Sequence, residues 1–358
     1  MKQKDSTINF ENQVFYIGID VHKNSWSVTI RTNHMELKTY SMNPDPKELV
    51  NSLKENYPGG TYKSTYEAGF CGFWIHQQLT ENGVDNIVIH AADVPTTHKE
   101  KITKTDKVDS RKLSKELENQ NLNAIYVPNN AQQQIRSLCR LRYQATKHST
   151  RLKNRIKGHL HYYGIALPPD TECSHWSANF IKYLEAGCDK NKPGSEYLLI
   201  CLDELKAQRK RILELTRSLR RYVRESKGKA SDIISFLISI PGIGFVTAIT
   251  LYTEIIDMSR FSNLDRLASF VGLSPSCSSS GDKEKIMGLT PRRNRYLRHL
   301  IIEAAWIAAR RDPALLKSFT ELSKRMKKSN AIIRIARKLL NRIRFVWKNE
   351  ARCQCFVN

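Results

Sequence analysis

The sequence predicts a mixed α/β domain followed by two all-α parts. Three observations support this fold class. Apolar segments typical of β-strands recur before residue 95, a long segment after residue 126 has apolar residues at helical spacing, and a Pro-Gly-Ile-Gly turn joins two apolar helical segments after residue 231. The predicted domain boundaries are therefore 1–125, 126–230 and 231–358.

The N-terminal strands and helices are predicted in a distinctive order. Short turns separate three strands, VFYIGID, WSVTIRT and HMELKTYSM. A helical segment, DPKELVNSLKENY, follows, with Asp45 as its N-cap and Pro46 at its first position. Next come the strand YKSTYEAG, the helix GFWIHQQLTENG, which stops at Gly83, and the strand NIVIHAA. Hairpin strands that are extended by parallel strands through right-handed crossovers have the order of a ribonuclease-H-like fold.

The central segment combines helical periodicity with charge of one sign. Apolar residues between 135 and 160 are three, four or seven positions apart, and no Asp or Glu occurs from 119 to 169. A second helical stretch, 197–222, carries a matching apolar stripe, so the two predict an antiparallel coiled-coil hairpin with a loop between them. Ordinary exposed helices mix both signs of charge, and a surface of one sign instead favours nucleic acid. The candidate contact residues are Arg151, Lys153, Arg155 and Lys157.

The whole chain is strongly basic. Its 58 Lys and Arg residues against 35 Asp and Glu residues give a formal net charge of +23 at pH 7, which indicates a polyanionic partner such as nucleic acid. No apolar run approaches the length of a membrane-spanning helix, and the N-terminal MKQKDSTINFENQ lacks the apolar core of a signal peptide. We therefore expect no membrane partner and a cytoplasmic protein whose cysteines are reduced.

The C-terminal part contains a helix, a tight turn and a second helix in the segment FLISIPGIGFVTAITLYTEI. This is the sequence form of a helix-hairpin-helix motif, in which Gly242 and Gly244 would let backbone N–H groups approach a phosphate. A plain αα-hairpin packed in a core is the alternative interpretation.

A serine-rich segment lies between two further helical segments. NLDRLASFVGLSP is predicted to be helical up to Gly272, and CSSSGDK is predicted to be a loop because small polar residues before glycine usually form one. The next helix is predicted over TPRRNRYLRHLIIEAAWIAAR, and its basic start contains Arg292, Arg293 and Arg295. A last amphipathic helix, NAIIRIARKLLNRIRFVW, follows.

Several carboxylates stand at positions where a metal ion could bind. Asp20 closes the first strand, Glu67 lies at the end of a later parallel strand, and Asp106 and Asp109 are three residues apart, on one face of a helix. Oxygen ligands of this kind suit Mg²⁺ or Mn²⁺, and a pair of such ions about 4 Å apart serves phosphodiester displacement. Each acid alone is commonly a turn or cap residue, and Asp93, near the next strand end, is a rival ligand.

Five sequence motifs occur in order along the chain: IGIDVHK, YEAG, KTDKVDSRKL, IPGIG and GLSPSCSSSGDKEKIMGLTPRRNRYLRHLIIEAA. As an ordered set, they resemble the DEDD-type insertion-sequence transposases, the IS110-like family of bridge-RNA-guided recombinases. The resemblance spans nearly the whole chain. It implies a RuvC-like N-terminal domain whose metal-binding carboxylates are Asp20, Glu67, Asp106 and Asp109.

The resemblance also implies a serine nucleophile in the C-terminal domain. Ser280 immediately precedes a glycine and is favoured, with Ser279 as the alternative. Attack on a DNA backbone phosphate would form a covalent phosphoserine link and release a 3′-hydroxyl. Arg292, Arg293 and Arg295 are candidates either to neutralise the phosphorane or to contact the DNA backbone, because guanidinium groups match phosphate oxygens.

The implied partners are donor and target DNA and a structured bridge RNA that pairs with both, so that base pairing would choose the sequences. The implied assembly is a dimer or tetramer in which the carboxylate domain of one subunit meets the serine domain of another, and the implied location is the nucleoid of a prokaryote. Two rival interpretations stay open. One is a resolvase-like nuclease that uses the carboxylates without a covalent intermediate, and the other is a nucleic-acid-binding protein without enzymatic activity.

Overall fold

The chain divides into two compact units, Met1–Val127 and Pro128–Asn358, in a computed structural model. The structure describes residues 9–95, 106–165, 174–188, 192–226, 228–280 and 283–354, and for 277–280 and 283–287 it describes the backbone alone. Each unit has its own apolar core. The domain boundaries drawn from the sequence, after residues 125 and 230, stay predictions.

The N-terminal unit is built on a five-stranded mixed sheet. Its strands are β1 (Val14–Val21), β2 (Trp26–Thr32), β3 (Met35–Met42), β4 (Thr61–Glu67) and β5 (Asp85–Ile89), in the order β3-β2-β1-β4-β5. The first three strands pair antiparallel, whereas β4 is parallel to β1 and β5 is parallel to β4. The mixed sheet and its strand segments are therefore confirmed.

Two helices, α1 (Pro46–Asn56) and α2 (Trp74–Glu81), pack on one face of this sheet. The predicted start of α1 is confirmed, because the Asp45 carboxylate accepts a 2.8 Å hydrogen bond from the backbone N–H of Lys47 and Pro46 follows the cap. Strand β1 contributes alternate side chains to the buried core between the sheet and these two helices. Those core residues are Phe15, Ile17 and Ile19 of β1, Leu49 and Leu53 of α1, and Ile75 and Leu79 of α2.

A third helix, α3 (Asp106–Glu118), packs against β1 and β2 through small residues. A Cβ atom on Gly18 would lie under 3.0 Å from the carbonyl oxygen of Ser110 and the amide nitrogen of Ser114, so the glycine permits direct contact between the two backbones. The Ser110 hydroxyl also forms hydrogen bonds of 3.1 Å with Ser27 and 2.9 Å with Thr29. The helix is therefore held at close range by a buried polar layer.

The far end of α3 is fixed by charged groups. The buried carboxylate of Glu118 accepts hydrogen bonds from Arg31 Nε at 3.0 Å and from the backbone N–H of His34 at 2.6 Å. Arg111 Nε donates to Glu36 at 2.9 Å on the surface. Contacts at both the middle and the end of the helix determine its direction across the sheet.

Two long helices dominate the start of the second unit, α4 (Asn130–Tyr162) and α6 (Ser195–Glu225). They run antiparallel, because His148 and Arg155 of α4 both contact Glu204 of α6 while Arg142 donates to Thr216 at 2.8 Å. The connecting segment was predicted to be a loop, but it contains a helix, α5 (Ala178–Ala186). This helix forms because its apolar side chains complete the core between α4 and α6. The core members are Leu152, Ile156, Leu160, Phe180, Ile181, Leu184, Leu198, Leu202 and Leu205.

Six further helices and a β-hairpin complete the described part of this unit. The helices are α7 (Lys229–Ile238), α8 (Phe245–Ile255), α9 (Leu264–Val271), α10 (Leu297–Arg311), α11 (Pro313–Arg325) and α12 (Lys328–Asn349), and the hairpin joins β6 (Pro275–Ser280) to β7 (Lys283–Leu289). The six helices share one large apolar core with the first turns of α4 and the end of α6.

Two predictions for the C-terminal segment are wrong. Residues 277–280 were predicted to be a loop, but they belong to β6, because pairing with β7 supplies hydrogen bonds that a serine run does not predict. The basic residues Arg292, Arg293 and Arg295 were predicted to start a helix, but α10 begins at Leu297. The reason is Asn294, whose side chain accepts hydrogen bonds from the N–H groups of Tyr296 and Leu297, so that the helix begins only after this cap.

None of the helices in the described ranges is both long enough and apolar enough to cross a membrane.

Substitution of Gly18 by alanine is expected to lower the free energy of unfolding by about 1–3 kcal/mol, because the added methyl group forces the backbones of β1 and α3 apart. Urea denaturation followed by circular dichroism measures the change. The matched control is Gly158→Ala on α4, where no atom lies within 4 Å of the added carbon. There we expect no loss, and equal losses for both variants would contradict the packing explanation.

Candidate active site

The carboxylates gather at one edge of the N-terminal sheet. Asp20 lies at the C-terminal end of β1, and Glu67 ends the neighbouring parallel strand β4, in which Tyr66 pairs with Ile19. The carboxyl ends of parallel strands meet at the same edge of a sheet, which is where ligands bind in open α/β structures. Both acids predicted from strand ends are therefore at one edge.

The first turn of α3 brings further acids to this edge. Asp106 and Asp109 both lie in that turn. The Nε2 atom of His22 is 3.3 Å from Asp20 Oδ2 and 3.3 Å from Asp106 Oδ1. Ligand atoms of Asp20, His22 and Asp106 all lie within 4.8 Å of one another. This three-residue group is referred to below as the Asp-His-Asp cluster.

The charge on Asp20 is unfavourable in the folded protein. Burial raises the pKa of its carboxyl group, the charge interaction with His22 opposes this, and the negative charges of Asp109 and Asp106 raise the pKa again. The net direction is upward. Asp109 therefore lies close enough to act electrostatically on the Asp-His-Asp cluster, and the edge carries an excess of negative charge.

The structure brings three of the four predicted carboxylates together, namely Asp20, Asp106 and Asp109. Glu67 is exposed at the end of its strand and is not a member of the Asp-His-Asp cluster. The rival ligand Asp93 lies in a short 3-10 turn that follows β5.

His22 was missed as a site residue. It lies just beyond the end of β1, where the sequence was interpreted as a turn. The available signal was its spacing, because residues two positions apart in an extended chain project to the same side, and His22 is two positions after Asp20.

The donor set fits a divalent cation. Carboxylate oxygens are the preferred ligands of Mg²⁺ and Mn²⁺, and an imidazole nitrogen suits Mn²⁺ better than Mg²⁺. Burial raises the pKa of Asp20 most, and the negative charges of Asp109 and Asp106 raise it further, so these acids also repel one another. A cation at this edge would relieve that repulsion, and Asp20, Asp106 and Asp109 are the residues placed to hold it.

The predicted nucleophile lies at the end of the β6–β7 hairpin. The backbone of Ser280 pairs with Lys283, and Ser279 pairs with Glu284. At the base of the hairpin, the N–H of Thr290 donates to Ser274 O at 3.0 Å. Ser280 is therefore the last paired residue of β6.

A buried ionic network lies next to the base of this hairpin. The buried carboxylate of Glu254 accepts two hydrogen bonds from Arg140, at 2.8 and 2.9 Å, and one from Asn294 Nδ2 at 2.9 Å. Asn294 also caps α10 through the N–H groups of Tyr296 and Leu297, at 2.9 and 3.1 Å. One side chain thus connects the buried acid, the start of α10 and the segment that follows β7.

The two glycines of the Pro-Gly-Ile-Gly turn have different surroundings. Gly242 has a φ of 91°, and a Cβ there would lie 2.5 Å from the carbonyl oxygen of Ala304 on α10. Packing on α10 therefore explains this glycine. Gly244 is exposed at the start of α8, where no atom would meet a Cβ within 4 Å.

The predicted basic contact residues differ in exposure. Arg292, Arg293 and Arg295 are exposed before α10, and Arg151, Arg155 and Lys157 are exposed on α4. Lys153 is partly buried, with its ammonium group 5.6 Å from the centre of the Trp176 ring. Burial lowers the pKa of Lys153, and the neighbouring charges of Arg209 and Lys157 lower it further.

Two family models match the chain over these regions. A DEDD transposase model of the IS110 type matches residues 17–165, and a model described as "Transposase IS116/IS110/IS902 family" matches residues 234–321. The first range contains every predicted carboxylate, and the second contains the β6–β7 hairpin. The class of protein that the fold and the site define is therefore a transposase.

Curated relatives agree with this class. The protein y4rJ of Sinorhizobium fredii, whose name describes it as a transposase, is 28% identical over 297 residues, which cover 76% of this chain and 74% of that protein. The transposase for insertion sequence element IS1111A of Coxiella burnetii is 28% identical over 208 residues, 57% of this chain and 55% of its own length. The transposase for IS1328 of Yersinia enterocolitica is 23% identical over 215 residues, 59% of this chain and 60% of its own length. The chain is therefore similar to the IS110-type insertion-sequence transposases over both matched ranges.

Asp20→Asn is expected to raise the melting temperature of the protein in EDTA at pH 7, because it removes a charge that burial and neighbouring acids disfavour. The folded-state pKa of Asp20 lies above its unfolded value, so the penalty is absent below the unfolded pKa and is fully present above the folded one. The advantage of the variant should therefore grow as the pH rises through the carboxyl range.

Added Mn²⁺ should reverse this order, because only the wild type keeps the full carboxylate set and gains stability by binding the cation. Asp85→Asn, an exposed acid of the same unit, is the matched control and should change little in either condition. A wild type whose melting temperature does not respond to Mn²⁺ would contradict the cation site.

Asn294→Ala is expected to lower the free energy of unfolding by about 1–3 kcal/mol, because it leaves the buried Glu254 without one donor and α10 without its cap. Urea denaturation measures the loss. The control is Asn349→Ala, at the exposed end of α12, where the change should stay within about 0.5 kcal/mol. A loss at Asn294 as small as that of the control would show that the network does not stabilise this unit.

Proposed function

We propose that this protein cuts and rejoins DNA, with Ser280 as the nucleophile and with Asp20, Glu67, Asp106 and Asp109 around a divalent cation, Mg²⁺ or Mn²⁺. The observation that carries the proposal is the meeting of Asp20, Asp106 and Asp109 at one sheet edge. Similarity to transposase families and a formal charge of +23 support DNA as the substrate.

The finer fold assignments are part of the same proposal. The mixed sheet with acids at its edge supports a RuvC-like N-terminal domain. The antiparallel packing of α4 and α6 supports a coiled-coil hairpin, and the turn between α7 and α8 supports a helix-hairpin-helix with Gly244 on its exposed side.

The proposed reaction exchanges one phosphoester for another. The Ser280 oxygen attacks a backbone phosphorus, the bond from phosphorus to the 3′-oxygen breaks, and the proton of the serine is transferred overall to that 3′-oxygen. The products are a phosphoserine link to one DNA end and a free 3′-hydroxyl on the other. Because the energy of the ester bond is kept in the covalent link, a second 3′-hydroxyl can reverse the step and join a new strand.

The carboxylates are proposed to bind the cation, which when bound would supply positive charge to the phosphate undergoing substitution. Arg292, Arg293 and Arg295 are exposed in the segment that follows the β6–β7 hairpin, and they are proposed to contact backbone phosphates. Arg151, Arg155 and Lys157 are proposed to contact nucleic acid along α4.

Sequence choice is proposed to rest with a structured bridge RNA that pairs with donor and target DNA. The carboxylates and the serine belong to different compact units. A dimer or tetramer in which one subunit supplies the acids and another supplies Ser280 is therefore part of the proposal. Since the substrate is chromosomal DNA, the proposed place of action is the nucleoid of a prokaryotic cell.

The test uses a suicide DNA substrate that traps a covalent intermediate, with the bridge RNA and Mg²⁺ present. The wild type should give a protein–DNA adduct on a denaturing gel, and Ser280→Ala should abolish it. Ser279→Ala is the matched control and should keep the adduct, because its neighbour still supplies the nucleophile.

Other outcomes would decide against parts of the proposal. An adduct that persists in Ser280→Ala but disappears in Ser279→Ala would move the nucleophile by one residue. Mg²⁺-dependent cleavage without any adduct would indicate a nuclease that uses the carboxylates alone. If Asp20→Ala keeps full activity, the acids are structural and the protein binds nucleic acid by other means.

A further inference from the structure

An exposed aromatic cluster lies where the end of α4 meets the start of α6. It consists of His159, Tyr162, Tyr163 and Tyr197, and it is called the aromatic platform below. The ring centres of His159 and Tyr197 are 4.6 Å apart with an interplanar angle of 26°, and the ring of Tyr163 is 4.7 Å from that of His159. Tyr162 lies 5.0 Å from Tyr163 and is 82% exposed.

Two rings of the platform, His159 and Tyr163, are held in place before any ligand binds. Gly194 has a φ of 84°, and a Cβ there would lie 2.5 Å from Tyr163 Cε2 and 2.9 Å from His159 Cε1, so both rings pack directly on its backbone. The imidazole Nε2 of His159 is 2.8 Å from the carbonyl oxygen of Gly194. A fixed ring loses little conformational entropy when it binds, which favours affinity.

The surroundings of the platform are basic. Lys157 and His161 are exposed on the same end of α4, and the positive charge of Arg155 acts on the Tyr197 hydroxyl. Two acids of α6 also lie near these groups: Glu196 is exposed and directly precedes Tyr197, whereas Glu204 contacts His148 at 3.1 Å and Arg155 at 3.9 Å. A ligand that is both flat and anionic matches this combination.

Single exposed apolar side chains are common on protein surfaces and need no explanation. Here, however, consecutive ring contacts link three tyrosines and a histidine, and two of the tyrosines are at least 45% exposed. A second copy of the chain fits this surface poorly, because it would bring a second set of the same positive charges against the first. Nucleic acid instead supplies phosphates for those charges and bases for the rings.

We propose that the aromatic platform stacks unpaired nucleobases of a single-stranded nucleic-acid segment. Base–aromatic stacking needs accessible ring faces and tolerates any base, while basic residues beside it follow the backbone. The inference rests on the proposed function, since it presumes a nucleic-acid partner, and it adds a binding site and a ligand class to it. RNA and DNA single strands share this chemistry, and the experiment separates them.

The test measures the affinity of the full-length protein for three fluorescent probes of matched sequence: a single-stranded RNA, a single-stranded DNA and a DNA duplex. Tyr162→Ala is the main variant, because a side chain that is 82% exposed can be removed without disturbing a core. Tyr162→Phe keeps the ring. Phe345→Ala removes another exposed ring, 66% exposed, from α12, which is not part of the platform.

Tyr162→Ala should weaken binding of at least one single-stranded probe by about five- to hundred-fold, the range for loss of one stacked base. The probe that loses most identifies the natural strand. Duplex affinity should change less than about twofold, and Tyr162→Phe and Phe345→Ala should match the wild type. Because stacking is not ionic, the slope of affinity against salt concentration should stay unchanged in Tyr162→Ala, whereas Lys157→Gln should reduce it by about 0.7.

Unchanged single-strand affinity in Tyr162→Ala would overturn the inference, and so would an equal loss for the duplex. A change in oligomer mass by light scattering, with unchanged affinity per subunit, would assign the platform to contact between subunits instead. These results leave the Ser280 adduct untouched, so they are distinct from failure of the proposed function. A wild-type protein with no affinity for any probe would contradict both this inference and the proposed function.

Discussion

The close contact of α3 with β1 at Gly18 is the constraint on which the candidate active site depends. Asp20 belongs to the sheet and Asp106 to the helix, so their carboxylates meet only because the two backbones touch. The hydroxyl of Ser110 holds the middle of the helix, and the buried ion pair of Glu118 holds its far end. A residue with a side chain at position 18 would therefore disturb the site without lying in it, since it would shift the element that carries half of the ligands.

The same contact makes the site electrostatically unfavourable as long as no cation is bound. Bringing acids together in a partly buried place raises the pKa of Asp20, which means that its ionised form is less stable in the folded chain than in the unfolded one. His22 partly opposes this. A protein that kept these residues only for stability would do better with neutral side chains, because polar but uncharged groups of the same shape avoid the repulsion. The arrangement is explained if a cation completes it.

Local pattern was sufficient to predict the N-terminal sheet and α1. Alternation in β1 and the cap at Asp45 are properties of neighbouring residues, and both were confirmed. The wrong predictions have causes distant in the chain. Ser280 is in a strand because of pairing with β7, and α10 starts late because Asn294 caps it while also bonding to Glu254, forty residues earlier. His22 was not predicted as a site residue, because its role depends on Asp106, which lies on a helix far along the chain, as well as on the nearby Asp20. The positions of the acids in the sequence predicted which strand or helix carries each of them. No periodic pattern could predict how close those strands and that helix lie.

The two units position their reactive groups by different means. In the first, small residues allow a helix to approach a sheet, whereas in the second a buried acid, Glu254, is satisfied by Arg140 and Asn294 and so fixes the segment that follows the hairpin. Removing one partner of such a network leaves a buried group unsatisfied, which costs more than the hydrogen bond contributes. In each case these contacts lie within a single unit. That independence suits the proposed chemistry, because a serine that attacks DNA reversibly is safest when it is held ready in one unit and meets the carboxylates of another only in an assembled complex with nucleic acid.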